Sequence, residues 1–202
     1  MLDPFSLPFV QRGVVEVLVL SIPAGVLGTW IVLRGLAFFS HAVGTATFPG
    51  LVVAAGLGFS APLGAFGAAI AFTLLILALS RGRLAGEDAN TALALVGCLA
   101  LGVILASDVF HSGSEIETLL FGSLLLIDHQ DLVVAAIAAV AVTTAAGLVG
   151  RRWLAVGFDP AAARSLGAPP LPLDAVLLAL IALSATAALS AVGAILVSAL
   201  FV

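Results

Sequence analysis

The sequence predicts an all-α, polytopic membrane protein with six or seven membrane segments, one of them short and re-entrant. The chain is 62% hydrophobic and only 9% charged, with a mean hydropathy of +1.30, whereas soluble domains carry about 25% charged residues. Its apolar runs are long enough to cross a bilayer as helices, which takes about 20 residues. Membrane barrels would instead show short alternating segments.

Six apolar runs of spanning length follow one another along the chain. Polar residues, glycines and prolines separate them, and Gly193 predicts a break within the last run. Six glycines inside the runs predict close contacts between helix backbones. They are Gly25, Gly28, Gly64, Gly67, Gly97 and Gly102. The predicted spans are 9–33, 38–58, 61–80, 89–107, 131–150 and 174–202.

The arginines predict the orientation of these spans. All seven basic residues are arginines, and six of them fall in or beside the loops 34–37, 81–88 and 151–172. Cytoplasmic loops are enriched in Lys and Arg. We therefore expect these three loops inside and the N-terminus outside, with Arg12 as an exception.

The apolar segment 119–127 is too short to span. Between the predicted outer loop 108–117 and the inner segment 151–172 the chain must cross an odd number of times, and the fifth span supplies one crossing. The short segment is therefore expected to enter and return on the outer side, with Phe121 and Gly122 as a pathway wall. A short interfacial helix is the alternative.

The inner segment 151–172 contains a helix signature of its own. Asp159 can cap a helix that starts at Pro160, and Gly167 can end it before three further prolines. We expect a short cytoplasmic helix that is either an ordinary connector or a docking element for a partner.

Several function classes are excluded by residue type. A chain without lysine cannot form a P-loop, so a partner would have to hydrolyse ATP if ATP is used. The single cysteine, Cys98, rules out a disulfide framework. There is no basic patch for nucleic acid. Residues 1–12 show no removable signal peptide, and the first span is expected to direct insertion.

Five stretches in collinear order resemble the permeases of zinc/manganese/iron ABC importers. They cover nearly the whole chain, and the family pattern continues past the point where this chain stops. The resemblance therefore predicts a single permease domain over 1–202 that is truncated at its C-terminus. The five stretches are VLRGLAFFSHAVGTATFPG, GEDANTALALVGCLALGVILAS, EIETLLFGSLLLIDHQDL, GFDPAAARSLGAPPLPLD and SAVGAILVSALFV.

The resemblance implies a multi-pass permease in the inner or plasma membrane of a prokaryote. Two copies would form one path for a divalent metal ion, with no bound cofactor and no nucleic acid. Each copy would dock on a cytoplasmic ABC ATPase, and an extracytoplasmic binding protein would deliver the metal. The resemblance assigns the coupling helix, which docks on the ATPase, to Phe158, Asp159, Pro160, Ala163, Arg164 and Gly167.

The same resemblance points to a metal pathway at His41 and Thr45. Aligned on Phe48-Pro49-Gly50, the family has an Asp at the position of His41 and a His at that of Thr45. The two positions share a helix face because they are four residues apart. Imidazole suits zinc, whereas manganese favours oxygen ligands, so the loss of the carboxylate weakens a manganese assignment.

Each of these assignments has an ordinary structural interpretation as its alternative. His41 can be a neutral histidine bonded to a carbonyl, and Thr45 can bond back to its own helix. The cluster of His111, Glu115 and Glu117 can be an outer cation-collecting rim or a solvated loop. The remaining acidic and histidine candidates are Glu16, Asp128, His129 and Asp131.

Other functions compete with the importer. A hydrolase using Ser60 and His41 fails because 19 helical residues at about 1.5 Å each separate the two side chains by nearly a bilayer. An ion-driven secondary transporter would need carboxylates in mid-span, and only Glu16 qualifies. A permease-like copy with altered or lost metal transport is the third alternative.

Overall fold

The computed structural model describes residues 8–81, 87–109, 127–165, 167, 169–193 and 196–201. These residues form helices joined by turns, and none of them is in a β-strand. The helices are α1 (Pro8–Leu33), α2 (Ala37–Ala46), α3 (Phe48–Leu57), α4 (Ala61–Arg81), α5 (Glu87–Ile104), α6 (His129–Phe158), α7 (Pro160–Ser165), α8 (Pro170–Val192) and α9 (Val197–Phe201).

Within these residues, six stretches are long and apolar enough to cross a membrane. They are Pro8–Leu33, Ala37–Leu57, Ala61–Ser80, Asp88–Asp108, His129–Phe158 and Pro170–Leu189. The second joins α2 and α3. The predicted all-α membrane fold is confirmed, and each stretch overlaps a span predicted from the apolar runs.

The six spans run alternately up and down. One end of the bundle, which we call the arginine end, brings together the α1–α2 corner, the start of α5, the end of α6 and the start of α8 around Arg34. The α4 helix ends at the same place, with Ile76, Leu77 and Ser80. This is the end that the arginine distribution predicts to be cytoplasmic.

The second and sixth spans form the centre of the bundle. In these two, 67% and 61% of residues are buried, against 22–33% in the other four. Large apolar side chains such as Leu93 and Leu148 are exposed on the outer helices. In a bilayer that exposure is favourable, because lipid tails are as apolar as the side chains they meet.

Helix packing depends on small residues at one crossing in particular. A Cβ added to Gly50 of α3 would lie 2.1 Å from the carbonyl oxygen of Gly64 in α4, and one added to Gly64 would lie 2.3 Å from that of Gly50. The predicted close packing is confirmed at Gly28, Gly64 and Gly102, whereas a Cβ added to Gly25, Gly67 or Gly97 would have nothing within 4 Å. The α3–α4 contact therefore tolerates no side chain at either glycine.

Two breaks interrupt the spans. At the first, α2 ends and α3 begins around Thr47, because Pro49 has no N–H to continue the helical hydrogen bonds. At the second, Gly193 ends α8 with a φ of 79°, as the sequence predicts. A π-helical turn over Leu105–Val109 follows α5.

The fifth span differs from its prediction. Its helix does not end at residue 150 but continues to Phe158, so the first part of the predicted loop 151–172 is helical. With 30 residues it is about 45 Å long and crosses once. The predicted re-entrant segment 119–127 lies outside the described residues, except for Ile127.

Candidate functional site

His41 and Thr45 lie on the same face of α2, as their spacing predicts. His41 is exposed and Thr45 is half-buried, although Ala42, Val43 and Gly44 beside them are buried. The hydroxyl of Thr45 donates to the carbonyl of His41 at 3.3 Å. The central helix of the bundle therefore presents an exposed imidazole and a half-buried hydroxyl on a strip that the described residues leave partly open.

Pro49 has no N–H to donate to the carbonyl of Thr45, four residues earlier. The backbone N–H of the capping residue Thr47 donates to the carbonyls of Gly44 and Thr45. The hydroxyl of Thr47 also donates to the carbonyl of Gly44 at 2.6 Å and is buried. The strip thus offers one nitrogen ligand from His41 and one hydroxyl oxygen from Thr45.

The strip is too sparse to bind a metal tightly by itself. Within the part of the chain that the structure describes, no three His, Cys, Asp or Glu side chains come together. Tight metal sites in proteins use four or more ligands. A permeating ion needs weak and incomplete coordination at each position so that it can leave, and the His41 strip has that character.

The short helix α7 forms where the sequence predicts it. Asp159 Oδ1 accepts hydrogen bonds from the backbone N–H groups of Ala161 and Ala162, both at 2.9 Å. Pro160 is the first residue of the helix, and Gly167 follows it with a φ of 77°. The cap satisfies N–H groups that would otherwise lack acceptors.

Some side chains of this segment are buried against the bundle, and others are exposed. Ala163 is only 1% exposed and fastens α7 to the bundle, whereas Phe158 is 86% exposed. Arg164 is exposed in the last turn. An exposed aromatic ring just before a capped helix, together with an exposed guanidinium on that helix, is typical of a surface that meets another protein.

Two contacts at the arginine end were not predicted. Arg34 Nη2 donates to Asp174 Oδ1 in an ion pair between the α1–α2 corner and the first turn of α8. Trp153 Nε1 donates to the carbonyl of Leu173 at 2.9 Å, in a buried hydrogen bond. The sequence shows charged and indole residues near the ends of spans, but only the fold shows which of them are paired.

The remaining candidates lie elsewhere. Asp128 and Asp131 cap the start of α6 through the backbone N–H groups of His129 and Asp128, so their carboxylates serve a helix terminus. Glu16 is fully buried in α1. The proposed outer rim of His111, Glu115 and Glu117 lies outside the described residues, as do Phe121 and Gly122.

Comparison with known sequences gives matches over nearly the whole chain. The model of a family described as the ABC 3 transport family matches residues 6–202. The manganese transport system membrane protein MntC of Halalkalibacterium halodurans is 30% identical over 98% of this chain and 68% of its own length. The chelated iron transport system membrane protein YfeD of Yersinia pestis is 31% identical over 99% and 67%.

Comparison with solved structures agrees. The structure of PsaBC from Streptococcus pneumoniae in complex with Fab superposes with a TM-score of 0.83 at 25% identity, covering 99% of this chain and 72% of that one. A metal-chelate type ABC transporter in an inward-facing conformation gives a TM-score of 0.70 at 19% identity and shows the fold alone.

Proposed function

This chain belongs to the ABC 3 transport family, and we propose that it forms the membrane pathway for a divalent metal ion in an ATP-driven importer. The match over residues 6–202 carries the proposal. Relatives that cover the chain almost end to end are named for manganese and iron transport. The six apolar spans make it a multi-pass membrane protein, as a permease must be.

The path is proposed to run along the strip of His41 and Thr45, between two copies of the chain. An ionisable side chain in a membrane span faces a cavity or a partner rather than lipid. His41 is exposed in the isolated chain, and a second copy would supply the missing wall and a second imidazole. Imidazole suits zinc and iron, whereas manganese favours the carboxylate oxygens that His41 and Thr45 do not supply.

The ATPase is proposed to be a separate chain that docks on α7. The absence of lysine leaves this chain without a P-loop. At the arginine end, Phe158 and Arg164 are exposed and the helix between them is fixed by Asp159 and Ala163. A binding protein would deliver the metal at the opposite end of the bundle.

The test is uptake by liposomes that contain the chain together with its own ABC ATPase and binding protein. We expect Zn²⁺, Fe²⁺ or Mn²⁺ to accumulate only when ATP is present on the ATPase side. Liposomes with a catalytically dead ATPase are the control. Accumulation driven by a proton or sodium gradient without ATP would instead identify a secondary transporter.

A further inference from the structure

We infer that the ion pair between Arg34 and Asp174 is a positioning contact that transmits the movement of α7 to α2. This inference rests on the proposed function, in which the ATPase moves α7 and the metal passes His41. It assigns the two charged side chains a role in coupling ATP hydrolysis to transport, distinct from binding either the metal or the ATPase.

The segment from Trp153 to Asp174 is held together as one unit. The indole of Trp153, near the end of α6, donates to the carbonyl of Leu173 at the start of α8. Between them α7 packs on both helices, with Ala163 buried. A force on α7 therefore reaches the first turn of α8, where Asp174 lies.

The α1–α2 corner is the part of the chain to which Asp174 would transmit a movement of α8. Arg34 is seven residues before His41, and the corner turns through Gly35 with a φ of 65°. The N–H of Leu36 donates to the carbonyl of Ile31 at 2.8 Å, which ties the corner to α1. Because α2 starts only three residues after Arg34, displacing that side chain displaces the start of α2.

Arg34 contacts both helices that flank α7, namely α6 and α8. Its guanidinium bonds to Asp174 of α8, and its aliphatic stem packs on α6, where a Cβ added to Gly157 would lie 3.2 Å from Arg34 Cδ. Trp30, one turn earlier in α1, packs edge to face on Trp153 with ring centroids 5.4 Å apart. The corner thus follows the position of α6 and α8 together.

The pair is shielded from water and has room to move. The side chains of Arg34 and Asp174 are 14% and 33% exposed, so solvent screens them less than a surface pair. Arg34 Nη1 is buried without an acceptor among the described residues. A buried charged N–H favours any arrangement that gives it an acceptor, and a cavity of about 300 Å³ beside the pair leaves space for one.

The experiment compares metal transported per ATP hydrolysed in liposomes that contain the complete transporter. For Asp174→Asn we expect this ratio to fall roughly fivefold or more, the lower end of measured coupling between sites. ATP hydrolysis and co-purification of the ATPase should persist. The charge-swapped protein, Arg34→Asp with Asp174→Arg, should recover at least part of the ratio, since it restores the ion pair with its charges exchanged.

Asp88→Asn is the matched control, since this exposed carboxylate lines the same cavity and makes no ion pair among the described residues. Its ratio should equal that of the wild type. An unchanged ratio in Asp174→Asn overturns the inference, and so does failure of both Asp174→Asn and the charge-swapped protein to assemble. If the wild type shows no ATP-driven uptake, the proposed function itself fails.

Discussion

At the scale of single residues, the most informative side chain is an exposed histidine on a buried helix. α2 lies at the centre of the bundle, yet His41 is exposed, one turn inside the arginine end. No described residue accepts a hydrogen bond from its ring, so the predicted alternative of a neutral histidine bonded to a carbonyl gains no support. Lipid is a poor environment for an imidazole, which favours a polar passage along this face.

Replacing His41 with alanine removes the one nitrogen ligand from the strip. We expect the rate of Zn²⁺ uptake at limiting metal concentration to fall roughly tenfold or more, in line with losses measured when groups that support a metal ligand are removed. ⁶⁵Zn uptake by liposomes that contain the complete transporter measures the change.

His129→Ala is the matched control because His129 lies at the opposite end of the bundle, where only its backbone serves the α6 cap. Equal Zn²⁺ uptake by the His41→Ala and His129→Ala proteins would contradict a ligand role for His41.

The spacing of His41 and Thr45 predicts their shared face. It could not reveal that this strip of α2 is left partly open, because burial depends on contacts from α4, α5, α8 and α9.

At the scale of elements, α7 is short enough that its cap decides its stability. A helix of six residues makes few internal hydrogen bonds. Replacing the capping Asp159 with alanine removes acceptors for two N–H groups and costs about 1 kcal/mol. If α7 must be folded to dock, the ATPase should bind about fivefold more weakly.

Asp159→Asn keeps a capping oxygen and should bind the ATPase nearly as well as the wild type. The measurement is titration of the purified ATPase onto the permease in nanodiscs. If the alanine and asparagine variants weaken binding equally, the carboxylate contacts the ATPase directly and the helix cap is not what matters.

The crossing of α3 and α4 gives a second prediction for an element. In Gly64→Ala the new methyl group would lie 2.3 Å from the carbonyl oxygen of Gly50, so the helices must separate. Overpacking of this kind costs about 1–3 kcal/mol. We expect a lower thermal unfolding midpoint in detergent for Gly64→Ala, and an unchanged or higher midpoint for Gly67→Ala, which has open space and gains a better helix former. A loss of the same size in both variants would contradict a cause specific to the α3–α4 crossing.

At the scale of the whole molecule, the alternation of spans fixes which ends share a side of the membrane. Ser165, the last residue of α7, lies on the side of the arginine end, whereas His129 begins α6 at the opposite end of the bundle. With Cys98 replaced by alanine, Ser165→Cys should react with a membrane-impermeant maleimide only in inverted vesicles. His129→Cys should react only in right-side-out cells. The reverse pattern would overturn the predicted orientation.

The sequence by itself determined the class of the protein, its six spans and the short capped helix between the last two. These features depend on local properties: the length of apolar runs, the absence of lysine, and the cap formed by Asp159, Pro160 and Gly167. Local properties are readable because each depends on residues within a few turns of one another.

Only the tertiary structure decided which helices are central and which distant side chains meet. Arg34 and Asp174 are 140 residues apart in sequence and form an ion pair only because the ends of α1 and α6 meet the start of α8. The extension of the fifth span to Phe158 likewise depends on Trp153 being buried against Leu173, although Arg151 and Arg152 give that stretch the polarity of a loop. Packing between remote segments overrides local polarity, and a single sequence does not show it.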